Sequence, residues 1–243
     1  MITSVEGIII SETPYGDTSK IINVFTKEYG VIGLICKGAM GIKSKLRVGT
    51  MKLTHGLFNI YYKENKLSTL SEVTIINHFK NIKSDILLIS YATYLCDLIK
   101  QVLKQAHDSK IYDDFINGLI KIDTGFNPIV ITNILEVKLL DYLGVGLNLT
   151  SCISCGNQKE IVTLSSEKGG LICKNCYQNE RIVPISIVKI FHMYYLIDIK
   201  SISKLNIKDT DILEINRFLT NYYDDYTGLY LKSKDFLKTI SKL

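Results

Sequence analysis

The chain has 243 residues, 47% of them hydrophobic and 22% charged, with a formal net charge of +5; such values describe a folded chain with a real core and exclude a disordered one. No run approaches the roughly 18 apolar residues needed to cross a bilayer, and the Met-Ile-Thr-Ser-Val-Glu start lacks the basic and apolar regions of a secretory signal. Six cysteines without an export signal point to a reducing, cytoplasmic setting, in which paired cysteines more often hold metal than form disulfides.

In chain order, the segment from Met1 to Lys80 reads as strands. Thr3–Ser11 is β-rich and runs into a turn cluster, Pro14-Tyr15-Gly16-Asp17. Lys20–Thr26 and Val31–Lys37 flank Glu28-Tyr29-Gly30, where Gly30 can take the positive φ of a tight hairpin. Gly38–Gly49, with three glycines and four cations counting its Gly38 neighbour Lys37, reads as a mobile basic loop. Lys52–Tyr62 and Leu67–Ile75 make a second hairpin around Lys63-Glu64-Asn65-Lys66. Five strands without a long helical pattern predict a small closed or partly open barrel such as the OB-fold.

The pattern then changes to helices. Ser84 or Asp85 can cap a helix through Ile86, Leu87, Tyr91, Tyr94, Leu95, Leu98, Ile99, Val102 and Leu103. A second stripe runs from Ile111 to Ile120. Asn127-Pro128 opens a third helix that stops at Gly144. Further helices are expected over Ile185–Leu196 after Pro184, behind Thr210 or Asp211, and from Ser233. The predicted class is α+β: an N-terminal OB-fold barrel over residues 1–80, then an all-α domain over 81–243 with an insertion at about 148–183.

That insertion carries Cys152-Ile-Ser-Cys155-Gly156 and Cys173-Lys-Asn-Cys176, two C-x2-C units separated by the segment Gly156–Ile172. This separation suits a four-cysteine zinc site. Two residues between thiolates let the chain curl so that both sulfurs face one point, and two such knuckles complete a tetrahedron. Gly156 is expected to relieve crowding behind the first knuckle. Ile161–Leu164 and Leu171–Cys173 read as the hairpin joining the two units. Four thiolates leave no open coordination position, so the expected cofactor is one structural Zn2+ held by Cys152, Cys155, Cys173 and Cys176. The competing readings are a redox dithiol or two disulfides; neither C-x-x-C opens a helix in a βαβ setting, as a thioredoxin-like pair would. Cys36 and Cys96 lie in apolar stretches and read as core.

Charge is unevenly spread. Residues 1–80 hold 10 Lys/Arg against 6 Asp/Glu. Between Glu28 and Glu64 there is no acid, while Lys37, Lys43, Lys45, Arg47, Lys52 and Lys63 all fall there. A one-signed segment suits a polyanion, since phosphate contacts supply most non-specific nucleic-acid affinity. Only Arg47, Arg181 and Arg217 are arginines, however, and an Ile-, Lys- and Asn-rich composition can scatter lysines without purpose. Charge alone leaves both readings standing. The histidines His55, His78, His107 and His192 are far apart, and no Walker A, G-x-S-x-G or G-x-G-x-x-G sequence occurs, so nothing points to an enzyme or a small-molecule substrate. Tyr222-Tyr223-Asp224-Asp225-Tyr226 reads as a helix end with packing tyrosines.

Several of these segments together resemble the bacterial recombination-repair RecO family. They are Tyr15-Gly16-Asp17-Thr18-Ser19-Lys20-Ile21-Ile22, Phe25-Thr26, Tyr29-Gly30 and Cys36-Lys37-Gly38-Ala39. Leu139-Leu140-Asp141-Tyr142-Leu143-Gly144, the first cysteine knuckle and Ser165–Cys173 extend the similarity to about residue 185. The resemblance implies an OB-fold, a helical domain and a zinc-binding insertion. It also implies a non-enzymatic role: binding single- and double-stranded DNA, annealing complementary strands, and helping RecA replace single-strand-binding protein (SSB) together with RecR, in the cytoplasm at the nucleoid. The matching basic positions are Lys37, Lys43, Lys45 and Arg47. Many members continue Lys-Gly-Ala with arginines, whereas Met40-Gly41-Ile42 follows here, which shifts the expected DNA contacts toward Lys43 and Lys45. Barrel aromatics such as Phe58 or Tyr61 are candidates to stack on bases or to fill the barrel. The reading from a different class is a zinc-stabilised adaptor that binds only protein partners.

Overall fold

The computed structural model describes residues 2–106 and 108–240. Five strands, β1 (Ile2–Tyr15), β2 (Ser19–Thr26), β3 (Gly30–Cys36), β4 (His55–Tyr61) and β5 (Ser68–Asn77), close a barrel in the order β1-β2-β3-β5-β4. One long strand makes closure possible. The first half of β1 pairs with β4 (Ile2 opposite Tyr61, Ile8 opposite His55), and its second half pairs with β2 as far as Tyr15 opposite Ser19. A bulge between Ile9 and Ser11 bends the strand between these two partners. It also explains why Ile8, Ile9 and Ile10 are all buried where alternation would expose one.

Gly7 and Gly56 face each other across the β1–β4 ladder. A Cβ on Gly7 would stand 2.5 Å from Val24 Cγ1, and one on Gly56 would stand 2.6 Å from the Thr74 carbonyl. Only glycine allows the chains to approach this closely. The barrel is filled by Val5, Ile9, Ile22, Val24, Leu34, Phe58, Ile60 and Leu70, among others.

The segment from Gly38 to Gly49 is not a plain loop. It is a string of turns ending in a one-turn helix, α1 (Leu46–Gly49). Ala39 is buried in the barrel core with Leu46 packed against it, and the Thr50 hydroxyl donates to the Leu46 carbonyl at 2.6 Å. Two anchoring apolar side chains are enough to give the stretch a defined path.

Three helices follow: α2 (Lys80–Ser84), α3 (Ile86–Val102) and α4 (Ser109–Asp123). Asp85 caps α3 by accepting from the Leu87 and Leu88 amides. The short α2 buries only Ile82, which left it without a readable stripe. Tyr112 and Phe115 of α4 meet Phe25 of β2, the first edge-on at 5.2 Å between centroids. Residues up to Thr124 therefore form one compact unit with the segment from Ser233, and Gly125–Lys232 form a second. The change of periodicity near residue 80 marks a change of element; the packing unit runs on through α4.

In the second unit, Asn127 caps α5 (Pro128–Tyr142), which ends ahead of Gly144 at φ +74°. A three-stranded sheet follows, made of β6 (Asn148–Cys152), β7 (Ile161–Ser165) and β8 (Gly170–Cys173) in the order β6-β8-β7. The β7–β8 pairing matches the expected hairpin; β6, parallel to β8, is an additional strand. The helices α6 (Ile185–Leu196) and α7 (Asp209–Tyr226) pack with α5. Thr210 and Asp211 lie inside the first turn of α7 rather than ahead of it, and Ser233 lies inside α8 (Lys232–Ile240). No helix among the described residues is long and apolar enough to cross a membrane.

Candidate metal centre and nucleic-acid interface

The two cysteine pairs arrive from different strands of one small sheet. Cys152 ends β6 and is buried; Cys173 ends β8 and is buried. Beyond each, the backbone curls. The Gly156 amide donates to the Cys152 carbonyl and the Cys152 amide to the Asn157 carbonyl, both at 2.8 Å. After Cys173 a single 3-10 turn carries the chain to Cys176. Gly156 lies at φ +75° with nothing within 4 Å of where a Cβ would stand. Its role is left-handed backbone, not relief of crowding.

The four Sγ atoms lie within 4.8 Å of one another, and Cys155 and Cys173 approach to 3.6 Å. Four sulfurs at about 2.3 Å from one zinc would be separated by about 3.8 Å, so the spacing fits a tetrahedral thiolate site. The electrostatics agree. Burial pushes the Cys152 thiol up, but the amides of Cys173, Cys155 and Ser154 overcome it and hold that thiol down to about 6; the Cys173 amide donates to Cys152 Sγ at 3.4 Å. At the other extreme, the neighbouring Cys155 and Cys173 thiols push Cys176 up to about 12. One thiolate forms readily and the last is suppressed by its neighbours. A central cation reverses that repulsion, which is what a metal site requires.

The sheet is tied down around the cluster. Lys168 Nζ contacts Glu180 Oε1 at 2.5 Å, while the Gln178 amide donates to Glu180 Oε2. The Thr163 hydroxyl donates to the Arg181 carbonyl and accepts from the Val183 amide. His192 Nδ1 donates to the Leu149 carbonyl at 2.6 Å, joining α6 to β6. Sequence reasoning missed the Lys168–Glu180 clamp, because its partners flank β8 and the second cysteine knuckle and leave no periodic signal. A groove of about 190 Å³ beside it is lined by Glu180, Arg181, Glu214, Arg217 and Asp225 among others. Its charges are mixed, so it offers no one-signed field to a polyanion.

In the N-terminal unit, Lys37, Lys43, Lys45 and Arg47 are all exposed. Among the described residues, none of the four belongs to an ion pair. The Gly38 amide donates to Ser19 Oγ at 3.2 Å and the Met40 amide to the Thr18 carbonyl at 2.8 Å, binding the segment to the β1–β2 turn. That turn carries one carboxylate, the exposed Asp17. Phe58 is fully buried in the barrel core, so it fills the barrel and cannot stack on a base. Tyr61, three residues on and therefore on the opposite face of β4, is exposed.

The remaining candidates are structural. Cys36 and Cys96 are buried, and burial pushes each thiol up to about 12. His55 is buried against Glu6 and Tyr112, His78 is exposed, and His107 lies outside the described residues. Tyr222 and Tyr223 are buried and donate to the Val145 and Glu136 carbonyls, as packing tyrosines do.

Comparison with known proteins gives two family matches. A family model described as recombination protein O N terminal covers residues 1–79, and one described as recombination protein O C terminal covers residues 83–235. The chain is 32% identical over 241 residues to a Listeria innocua protein named DNA repair protein RecO, covering 98% of this chain and 94% of that one. Proteins of the same name from Bacillus cereus and Halalkalibacterium halodurans are 30% and 29% identical, and each alignment covers 100% of this chain and 99% and 97% of theirs.

Proposed function

Because the chain belongs to the recombination protein O (RecO) family, we propose that it is a cytoplasmic, non-enzymatic DNA-binding mediator of recombinational repair. In this reading it binds single- and double-stranded DNA, anneals complementary strands, and with RecR helps RecA load onto SSB-coated DNA. The observation that carries the reading is the exposed, unpaired cationic segment from Lys37 to Arg47, fastened to a closed barrel by Ala39 and Leu46. Cations held on an ordered frame can track phosphates without first being released from carboxylates. The four-cysteine cluster supports one structural zinc, since every ligand position is taken by thiolate and none is left for substrate. When bound, the metal would supply folding free energy and neutralise the crowded thiolates. Residues 1–80 are proposed as the DNA-binding domain and residues 81–243 as the helical domain that carries the zinc insertion.

Titration of labelled single strands across a salt series tests the DNA reading. Four phosphate contacts give a slope of log affinity against log salt near −3, from about −0.7 per contact. Replacing Lys43 and Lys45 together by Ala should flatten the slope to about half of that. A slope unmoved by the double variant would remove these side chains from the interface. No DNA affinity at low salt, with protein partners still bound, would favour the adaptor reading instead.

A further inference from the structure

The cationic segment carries apolar side chains turned to solvent. Ile42 is 88% exposed, and Met40, Val48 and Met51 are exposed as well. They are interspersed with Lys43, Lys45, Arg47 and Lys52 between Met40 and Lys52. Single exposed apolar residues are common on any surface, whereas several exposed together mark a place where a ligand or partner can bind.

Nor are these side chains tips of a wandering loop. Successive turns hold them: the Gly41 amide donates to the Gly38 carbonyl, the Ser44 amide to the Gly41 carbonyl and the Arg47 amide to the Ser44 carbonyl, at 3.1 to 3.2 Å. The buried Ala39 fixes one end of this chain of turns and the half-buried Leu46 the other. Tyr15 is exposed in the β1–β2 hairpin, opposite Ser19, whose hydroxyl accepts from Gly38. An aromatic ring, a branched aliphatic and a thioether thus stand on these turns and the adjoining hairpin with Lys43, Lys45 and Arg47; of the two carboxylates nearby, Glu12 is taken up by Lys20 and the Lys52 amide, and Asp17 is exposed.

We propose that Ile42, supported by Met40 and Tyr15, is a contact for unpaired bases, so that this end of the barrel selects nucleic acid whose base faces are open. The proposal rests on the DNA-binding reading above and deepens it. Cations alone hold duplex and single strand through the same phosphates. Apolar and aromatic groups gain nothing from phosphate, but they do gain from the faces of unstacked bases, which a duplex hides. The pairing of polyanion charge with apolar faces is the chemistry of a single strand.

The two contributions separate in a salt series. Slope counts phosphate contacts, and affinity extrapolated to high salt reports what remains without them. In the full-length protein, Ile42→Ser is expected to lower that extrapolated affinity for an oligothymidylate roughly tenfold, the worth of one buried aliphatic side chain, with the slope unchanged. Duplex binding should change less than about twofold. Because Ile42 is exposed, Ser leaves the fold intact. The chain contains no tryptophan, so Ile42→Trp supplies a single reporter whose emission should be quenched by oligothymidylate and not by polyglutamate. Equal losses on both strand forms, unchanged single-strand affinity, or quenching by polyglutamate would each overturn the base-contact proposal while salt-dependent DNA binding persisted. Loss of all DNA binding by the parent protein would instead remove the reading beneath it.

Discussion

Stripping the metal should unfold the β6–β8 sheet and leave the barrel standing. Residues 148–183 bury few large apolar side chains of their own, chiefly Leu149, Leu164, Leu171, Ile172 and Val183. A four-thiolate zinc contributes on the order of 10 kcal/mol to folding, comparable to the whole net stability of a domain, which is about 5–15 kcal/mol. The loss is not absorbed locally, because four thiols within 4.8 Å of one another have no bond between them to replace those to the metal. It should reach α6 as well, through its contacts with β6 and β7 and the His192–Leu149 hydrogen bond. Hydrogen exchange read by mass spectrometry, with and without a strong zinc chelator, checks this. Amides of β7 and β8 should lose protection by orders of magnitude, while those of β1–β4 hold theirs. Cys173→Ser should reproduce the chelated pattern without chelator, and Cys96→Ser, whose thiol lies buried in α3, should leave metal content at about one zinc per chain. Persistent protection of β7 and β8 in protein shown to be metal-free would refute the reasoning, because apolar packing alone would then be holding the sheet.

Three smaller perturbations sample the same physics. Lys168 and the Gln178 amide hold the Glu180 carboxyl down to about 2, against an ordinary 4.5; stability from this clamp is fully present above about pH 4.5 and is lost as pH falls toward 2. Acid also releases metal by protonating thiolates, so the measurement is the difference between parent and Glu180→Gln in an acid titration of β7–β8 protection, and Gln should remove that component. Gly156→Ala should destabilise the second unit by about 1–2 kcal/mol, the cost of left-handed backbone with a Cβ, seen as a lower melting temperature with zinc retained. Asp85→Ala should cost about 1 kcal/mol through the lost α3 cap, read from denaturant unfolding of the N-terminal unit.

What could be read from the sequence follows the range over which each physical constraint acts. The curl of a C-x2-C unit is a short-range rule, so the convergence of Cys152, Cys155, Cys173 and Cys176 was legible in the sequence. Helix stripes and caps are equally local, as at Asp85, Asn127 and Pro184. The bulge between Ile9 and Ser11 is not local: it exists because β1 must serve β4 and then β2, and the continuous buried run Ile8–Ile10 follows from that double duty. The third strand β6 was hidden for the same reason, since its partner β8 lies beyond the whole of β7 in the chain. The open choice between Phe58 and Tyr61 is of another kind. Strand parity sets Phe58 beside Ile60 on one face and Tyr61 beside Leu57 on the other, so one of the two aromatics had to be core.

The basic segment shows how composition conceals order. Between Gly38 and Gly49 glycine and lysine suggest a chain without preferred structure, and charge alone leaves open whether the lysines serve any purpose. Ala39 and Leu46 account for the order, because burying them shortens the free span to Met40–Lys45, and the amide-to-carbonyl turns at Gly41, Ser44 and Arg47 use up most of its remaining freedom. Entropy that a flexible loop would lose on meeting a polyanion has been lost already, on folding. An ordered segment can also keep Ile42 facing water, where a looser chain would turn it inward against the barrel. Exposure of that side chain is therefore maintained by the fold at a cost, and a surface maintained at a cost is where a ligand should be sought.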